Sequence, residues 1–312
     1  MKILVTDADK DTEKALSSML LGQDIQFSEK SLNGELDQGP LYVDVLSIDI
    51  TSRLGEEELE KLPNLRFVCT RSTGYDHIDL NAAGRKGVVV SSVIGYGTLP
   101  VPEHTFALLL SLIRKINKAD ARVRKKDFDY NGLMGTQIYG KTFGVLGTGA
   151  IGTRVAELAI AFGANVLAYD VVINEKLLSK GVRYAPLDEV LAESDFVSVN
   201  LPLLPSTKGL IGQRELGLMK MTSYLVNTGR GGVIDEGALI RALKMGKIAG
   251  AALDVFEQEP PKGELLAPEL ANVLLLSPHI GWYTDAGFSE IIRQTAENIR
   301  AFLDGKPIRV LR

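Results

Sequence analysis

The chain has 312 residues, which leaves room for two domains of ordinary size. Hydrophobic residues make up 45% and charged residues 24%, a balance that builds folded cores and argues against a disordered or collagen-like chain. The net charge of −4 argues against a polyanion-binding surface, so nucleic acid is not an expected partner, and the single cysteine, Cys69, excludes an internal disulfide or a cysteine-based metal cluster.

Residues 1–5 reach Asp7 before an apolar core of signal-peptide length can form, and no apolar run approaches 18 residues. The expected address is therefore cytoplasmic, with no membrane partner. Short β-rich runs alternate with helical patterns: strands at 2–6, 43–48, 66–70 and 88–91, and helices at 12–21 and 55–62. Such alternation is the sequence form of a parallel α/β sheet. Cys69 sits in the apolar stretch 65–69 and reads as an inert buried thiol.

Pro100 and Pro102 then stiffen a crossing, and Pro102 suits the first turn of a helix. The helix expected over 103–119 is apolar almost all round (Phe106, Leu108, Leu109, Leu110, Leu112, Ile113). It must therefore be covered on more than one side, within the chain or by a second subunit. The basic run at 122–126 passes directly into Asp127 and Asp129 and reads as a solvated helix end. From Lys141 a second series begins, with strands at 142–146, 165–169, 196–200, 223–227, 249–253 and 273–276. Six strands with helical connections make a complete doubly wound dinucleotide fold. The last helix, at 286–303, is amphipathic through Ile291, Ile292, Ile299 and Phe302.

Directly after the first strand of this series stands Gly147-Thr148-Gly149-Ala150-Ile151-Gly152. Its place between a strand and a helix is what gives the pattern meaning. The first glycine permits the tight turn, the second lets backbone approach a pyrophosphate, and the third lets helix and strand pack closely. The helix N-terminus offers its free N–H groups to phosphate, and the helix stops at Gly163. Asp170 ends the next strand, 18 residues past Gly152, where an acidic side chain meets the adenosine ribose. A carboxylate there repels a 2′-phosphate, and Val171 and Val172 supply no cation, so NAD is expected over NADP.

Ligands bind beyond the carboxyl ends of such strands. The residues found there are Leu201 and Pro202, with Thr207 further on; Asn227, Thr228, Gly229 and Arg230; Asp254 and Glu259; and His279. An arginine, a carboxylate and a histidine thus converge on one sheet edge.

These segments resemble the D-isomer-specific 2-hydroxyacid dehydrogenase family. The matching stretches are STGYDHIDL (72–80), PEHTFALLL (102–110), GTGAIG (147–152), NTGRGGVID (227–235), LDVFEQEP (253–260) and SPHIGWYTDA (277–286), in the family's order and over nearly the whole chain. The resemblance implies a Rossmann NAD domain (100–284) inserted in a flavodoxin-like substrate domain (1–99 plus 285–312). It also implies a catalytic trio of Arg230, Glu259 and His279 in an NAD-dependent oxidoreductase acting on a small 2-keto or 2-hydroxy acid.

Each role is chemically sensible alone. Histidine titrates near neutrality and can donate the proton. A carboxylate favours the imidazolium and holds one ring orientation. Arginine grips a carboxylate or carbonyl through its planar fork. Glu257 competes with Glu259 for the acid's role; the residue before the proline matches the family, which selects Glu259. His104 reads as packing or capping at its helix start, and His77 as structural.

On the substrate side the resemblance implies backbone N–H groups at Thr73 and Gly74 on the substrate carboxylate, with Tyr96 and Trp282 bordering the substrate. The order His-Ile-Gly-Trp-Tyr-Thr is nearest to the D-lactate dehydrogenase branch, although Trp282 is larger than the aromatic usual there. The alternatives are glyoxylate or hydroxypyruvate reduction, 3-phosphoglycerate oxidation and, in another class, an NAD-sensing corepressor. The family's habit implies a homodimer through the 103–119 region. No metal is expected.

Overall fold

The computed structural model describes residues 1–311 and divides into two compact units, one formed by residues 1–96 and 284 onward, the other by Gly97–Tyr283. The first unit holds strands β1 (Lys2–Val5), β2 (Asp24–Phe27), β3 (Val45–Ile48), β4 (Phe67–Thr70) and β5 (Val89–Ser91). Its helices are α1 (Lys10–Met19), α2 (Leu32–Leu36), α3 (Glu56–Glu60), α4 (Leu80–Arg85) and, from the C-terminal segment, α12 (Asp285–Leu303). The strands run parallel in the order β2-β1-β3-β4-β5, the flavodoxin-like arrangement.

Side chains on a strand alternate between faces, and the two cores of this unit follow that rule. Ile3 and Val5 pack with Leu16 of α1 and Ile292 and Ile299 of α12, while Leu4 packs with Leu32, Leu36 and Leu46 on the other face. Cys69 is fully buried and unpaired, and burial pushes its thiol up to about 11, so it stays protonated.

The second unit begins with α5 (Pro100–Ile113) and α6 (Ile116–Arg124). It continues with β6 (Thr142–Leu146), α7 (Ala150–Ala161), β7 (Asn165–Tyr169), α8 (Glu175–Leu178), β8 (Arg183–Tyr184), α9 (Leu187–Glu193), β9 (Phe196–Val199), α10 (Gln213–Leu218), β10 (Tyr224–Asn227), α11 (Glu236–Lys244), β11 (Gly250–Leu253) and β12 (Leu274–Leu276). All strands are parallel, in the order β12-β11-β10-β9-β6-β7-β8. The order reverses between β6 and β9, the position where such sheets open a crevice.

The two doubly wound parallel sheets expected from the sequence are present, with three differences in detail. Strand β2 adds a fifth strand to the first sheet, and β8 adds a seventh to the second. The helix expected over 103–119 is two helices, broken at Lys115, whose φ of 53° is left-handed and cannot continue an α-helix. Its apolar part needs no second subunit to explain it, because Phe106, Leu109 and Ile113 pack on Phe143, Val155, Ala156 and Ala159 of their own unit. Among the described residues no helix is long and apolar enough to cross a membrane.

Candidate active site

The glycine-rich turn is shaped by contacts only glycine allows. Gly147 has φ 88°, and a Cβ there would lie 2.7 Å from the Asn200 carbonyl oxygen; a Cβ on Gly152 would lie 1.9 Å from the Gly147 carbonyl oxygen. Gly149 differs: a Cβ there would meet nothing within 4 Å, so the space above the turn is open. Gly149 also caps α7 with no side-chain hydrogen bond, so Ala150 and Ile151 open a helix whose first amides face no acidic side chain of their own turn. An open cradle over bare helix amides is what a pyrophosphate requires, so these residues fit a dinucleotide.

Asp170 closes the turn from the next strand. Its Oδ2 accepts from the Thr148 backbone N–H at 2.6 Å and the Thr148 hydroxyl at 3.0 Å, and its Oδ1 accepts from the Val172 N–H at 3.2 Å. Burial opposes its ionisation, but these hydrogen bonds outweigh it and hold the carboxyl below its ordinary range. Asp170 therefore stands as an anion beside the turn at neutral pH. On the other side of β6, Leu201 is buried, Pro202 is exposed, and the Thr207 hydroxyl donates to the Pro202 carbonyl at 2.6 Å, shaping the turn after β9.

The three adjacent strands β10, β11 and β12 deliver the remaining residues. After β10, the buried Asn227 accepts from the Gly229 N–H and donates to the Arg230 carbonyl, both at 3.0 Å, which bends the chain at Arg230. The half-buried Arg230 donates through Nη1 to the Gly229 carbonyl at 2.9 Å. Thr228 turns away toward α5, where its hydroxyl lies 2.7 Å from that of Thr105. At Gly231 a Cβ would lie 1.9 Å from the Phe256 carbonyl carbon, so a glycine is needed for the β10 loop to press against the β11 loop.

In the β11 loop Glu259 uses both oxygens. Oε1 accepts from the Phe256 N–H at 3.1 Å, and Oε2 meets His279 Nδ1 at 2.8 Å. A carboxylate only accepts, so Nδ1 carries the hydrogen and Nε2 is left as the working nitrogen. His279 has φ 55°, a left-handed conformation uncommon outside glycine and usually held by its surroundings. Glu257 does not reach the imidazole: it accepts from the Glu236 N–H at 3.0 Å while Glu236 accepts from the Glu257 N–H at 2.6 Å. Burial, and then the charges of Glu257 and Glu259, raise the Glu236 carboxyl.

Asp254 lies under this edge, nearly fully buried. It accepts from the Ser277 hydroxyl (2.6 Å), the Ile280 N–H (3.0 Å) and the Gly281 N–H (2.8 Å). Burial opposes its ionisation, while hydrogen bonds from His104, Ser277, Gly281 and Ile280 hold it below its ordinary range. His104, read from the sequence as packing or capping, is in fact part of this polar network, with Nε2 3.3 Å from Asp254 Oδ1. Trp282 stacks edge-on with Tyr283 at 5.1 Å.

In the first unit, Thr73 is exposed and its hydroxyl donates to the Val93 carbonyl at 2.9 Å, while the Gly74 carbonyl accepts from the buried Ser72 hydroxyl at 2.6 Å. Tyr96 is half-buried and follows Gly95, whose φ is 77°. His77 lies 3.1 Å from the Thr70 hydroxyl. Among the described residues no group of histidine, cysteine and acidic side chains could hold a metal.

A parallel sheet with an open glycine-rich turn at its switch point and a Glu–His pair at the same edge defines a dinucleotide-dependent oxidoreductase. Residues 106–281 match the family described as D-isomer specific 2-hydroxyacid dehydrogenase, NAD binding domain. Glyoxylate reductase of Korarchaeum cryptofilum is 40% identical over 270 residues, covering 84% of this chain and 80% of its own length. D-3-phosphoglycerate dehydrogenase of Bacillus subtilis is 33% identical over 308 residues; the match covers 98% of this chain but 58% of that longer protein. The crystal structure of D-lactate dehydrogenase from Aquifex aeolicus complexed with NAD and lactic acid superimposes with a TM-score of 0.89 at 35% identity, covering 97% of this chain and 96% of that one. The chain belongs to the D-isomer-specific 2-hydroxyacid dehydrogenase family, and NAD is the cofactor of its second unit.

Proposed function

We propose that this protein reduces the C2 carbonyl of a small 2-keto acid to a D-2-hydroxy acid, with D-lactate as the favoured product. The observation that carries the reading is the 2.8 Å pair between His279 Nδ1 and Glu259, at the edge that also bears Arg230. NAD is held by the turn at Gly147, Thr148, Gly149, Ala150, Ile151 and Gly152, by Asp170, and by the strand-end residues Leu201, Pro202, Thr207, Asn227 and Gly229; Thr228 and Asp254, expected from the sequence to join them, turn their side chains to Thr105 and into the 277–281 turn instead. When bound it supplies the hydride.

The chain's own residues do the rest. Glu259 accepts the Nδ1 hydrogen and fixes the ring; His279 Nε2 donates the proton to the developing alkoxide; Arg230 holds the substrate's carboxylate or carbonyl. The backbone at Thr73 and Gly74, with Tyr96, is assigned to the substrate carboxylate, and Trp282 to its side chain. The ionised Asp170 disfavours the 2′-phosphate of NADP.

The likeness to the Aquifex aeolicus D-lactate dehydrogenase complexed with NAD and lactic acid favours pyruvate. The Korarchaeum cryptofilum relative gives glyoxylate as the second reading. Steady-state turnover of a panel of 2-keto acids with NADH and NADPH tests all of this. The expected result is NADH-dependent reduction, best with pyruvate. His279→Ala should lower it by about two to four decades, the usual worth of a general acid, with NADH binding near normal. Glu259→Gln, which loses the anionic acceptor that orients the His279 ring, should lower kcat while NADH binding stays near normal. Tight NADH binding without turnover of any acid would put the chain with NAD-sensing binding proteins instead.

A further inference from the structure

The turn that carries His279 is wound around one buried carboxylate. Asp254 accepts the N–H groups of Ile280 and Gly281, the two residues after the histidine, and the hydroxyl of Ser277, two residues before it. A Cβ at Gly281 would lie 2.9 Å from Asp254 Oδ2, so the backbone has been drawn as near the carboxylate as a glycine permits. The turn is tightened further by the His279 N–H, which donates to the Ser277 carbonyl at 3.1 Å.

The anchor is itself held from another element. His104, at the start of the second turn of α5, places Nε2 3.1 Å from Ser277 Oγ and 3.3 Å from Asp254 Oδ1. The hydrogen inventory fixes the direction. The Ser277 hydrogen is already given to Asp254, and the ionised carboxylate has none, so His104 Nε2 must carry a hydrogen and share it between the two oxygens. The titratable groups facing the turn are Glu259, with Glu257 and Glu236 behind it, Asp254 beneath, and His104 from α5.

We propose that His104 is a positioning residue for the reaction: by donating to Asp254 and Ser277 it fixes the 277–281 turn in the conformation that brings His279 onto Glu259. The inference rests on reading His279 as the proton donor. It separates from simple packing, because packing needs only the volume of an imidazole whereas positioning needs a donor at Nε2.

Two substitutions in the full-length chain make that distinction. In His104→Gln the side-chain amide reaches where Nε2 lies; in His104→Asn it stops about one bond short, near the place of Nδ1. The Gln variant should keep kcat for keto-acid reduction within about threefold, since its donor is in place. The Asn variant should lose about 10- to 100-fold in kcat, as expected for a misplaced catalytic group, with KM for NADH little changed.

A second readout needs no turnover. The chain has three histidines, so the downfield proton resonance of the His279 Nδ1–H can be assigned by single substitutions. It should persist in the wild type and the Gln variant and vanish in the Asn variant. If the Asn variant does not fold, His104→Met, apolar and of similar length, replaces it. Equal kcat and an unchanged resonance in the donor and non-donor variants would overturn the proposal, as would equal damage in both. If no keto acid is reduced at all, the function proposed above fails, while the resonance still decides the role of His104.

Discussion

At Asp254 the balance between burial and hydrogen bonding can be read as a dependence on pH. Its carboxyl is held below its ordinary value of 3.8. A group depressed in the folded state stabilises the fold fully above its unfolded value, and that contribution fades as pH falls through the folded value. Asp254→Asn turns one acceptor into an NH2 facing a backbone N–H or the Ser277 hydroxyl. It should therefore cost about 2–4 kcal/mol at pH 7, the range for an unsatisfied or uncompensated buried polar group. The difference between wild type and variant, read from urea midpoints, should be constant at neutral pH and shrink as pH drops below 3.8, where the wild-type side chain also loses its charge. A difference that does not change down to acid pH would mean that Asp254 acts by shape and not by charge.

The same residue shows what a sequence can and cannot disclose about a site. Glu259 and His279 stand beside prolines at strand ends, and Gly147 to Gly152 lie between a strand and a helix, so their chemistry is announced locally. His104 and Ser277 are 173 positions apart, and no local pattern links them. What would have pointed there is an imidazole in an otherwise apolar helix, a polar group whose burial requires a partner.

At the scale of elements, the central strands were legible because both faces are covered and the run is apolar throughout, as in Val45–Ile48 and Phe196–Val199. The two that were not are edge strands: β2 is partly exposed along its length, and β8 has two residues, one of them the exposed Arg183. The break between α5 and α6 was hidden because apolar residues continue across it, from Ile113 to Ile116, and the left-handed residue is Lys115, not a glycine.

Helix α12 carries a further surprise on its buried face, in Gln294, Thr295 and Asn298. Gln294 behaves as a strand partner would, accepting from the Ile94 N–H at 3.0 Å and donating to the Ile94 carbonyl at 2.7 Å. Asn298 holds the Ser92 carbonyl at 2.9 Å, so the helix grips the chain that follows β5 by two amides. Gln294→Leu keeps the volume and removes both bonds to Ile94. The expected cost is about 1–3 kcal/mol, and the sharper signature is loss of hydrogen-exchange protection at the Ile94 amide. Wild-type protection at that amide would show the grip to be incidental.

At the scale of the whole molecule, the question is why apolar side chains remain uncovered after both cores are filled. In the second unit, α6 has no buried residue, and beyond it Phe128 is 87% exposed, Tyr130 80% and Met134 88%. Scattered exposed apolar residues are ordinary, but three large ones within seven positions of sequence are the kind of segment subunit contacts cover. If the homodimer expected from the family's habit forms, segment 116–139 is the prediction for its contact, because the apolar stretch of α5 is already buried by its own unit.

The charges there suit a self-complementary contact, because Arg122, Arg124, Lys125 and Lys126 lie among Asp120, Asp127 and Asp129, and a two-fold axis sets each patch against its copy. Phe128→Asp with Met134→Asp adds two like charges per subunit to that contact and removes nothing from either core. Sedimentation at micromolar concentration should give a dimer for the wild type and a monomer for the double variant. The glycine-rich turn and Asp170 lie wholly within one unit of one chain, so the monomer should retain NADH binding. A double variant that still sediments as a dimer would move the contact elsewhere on the chain, and a wild type that sediments as a monomer would leave this patch to some other partner.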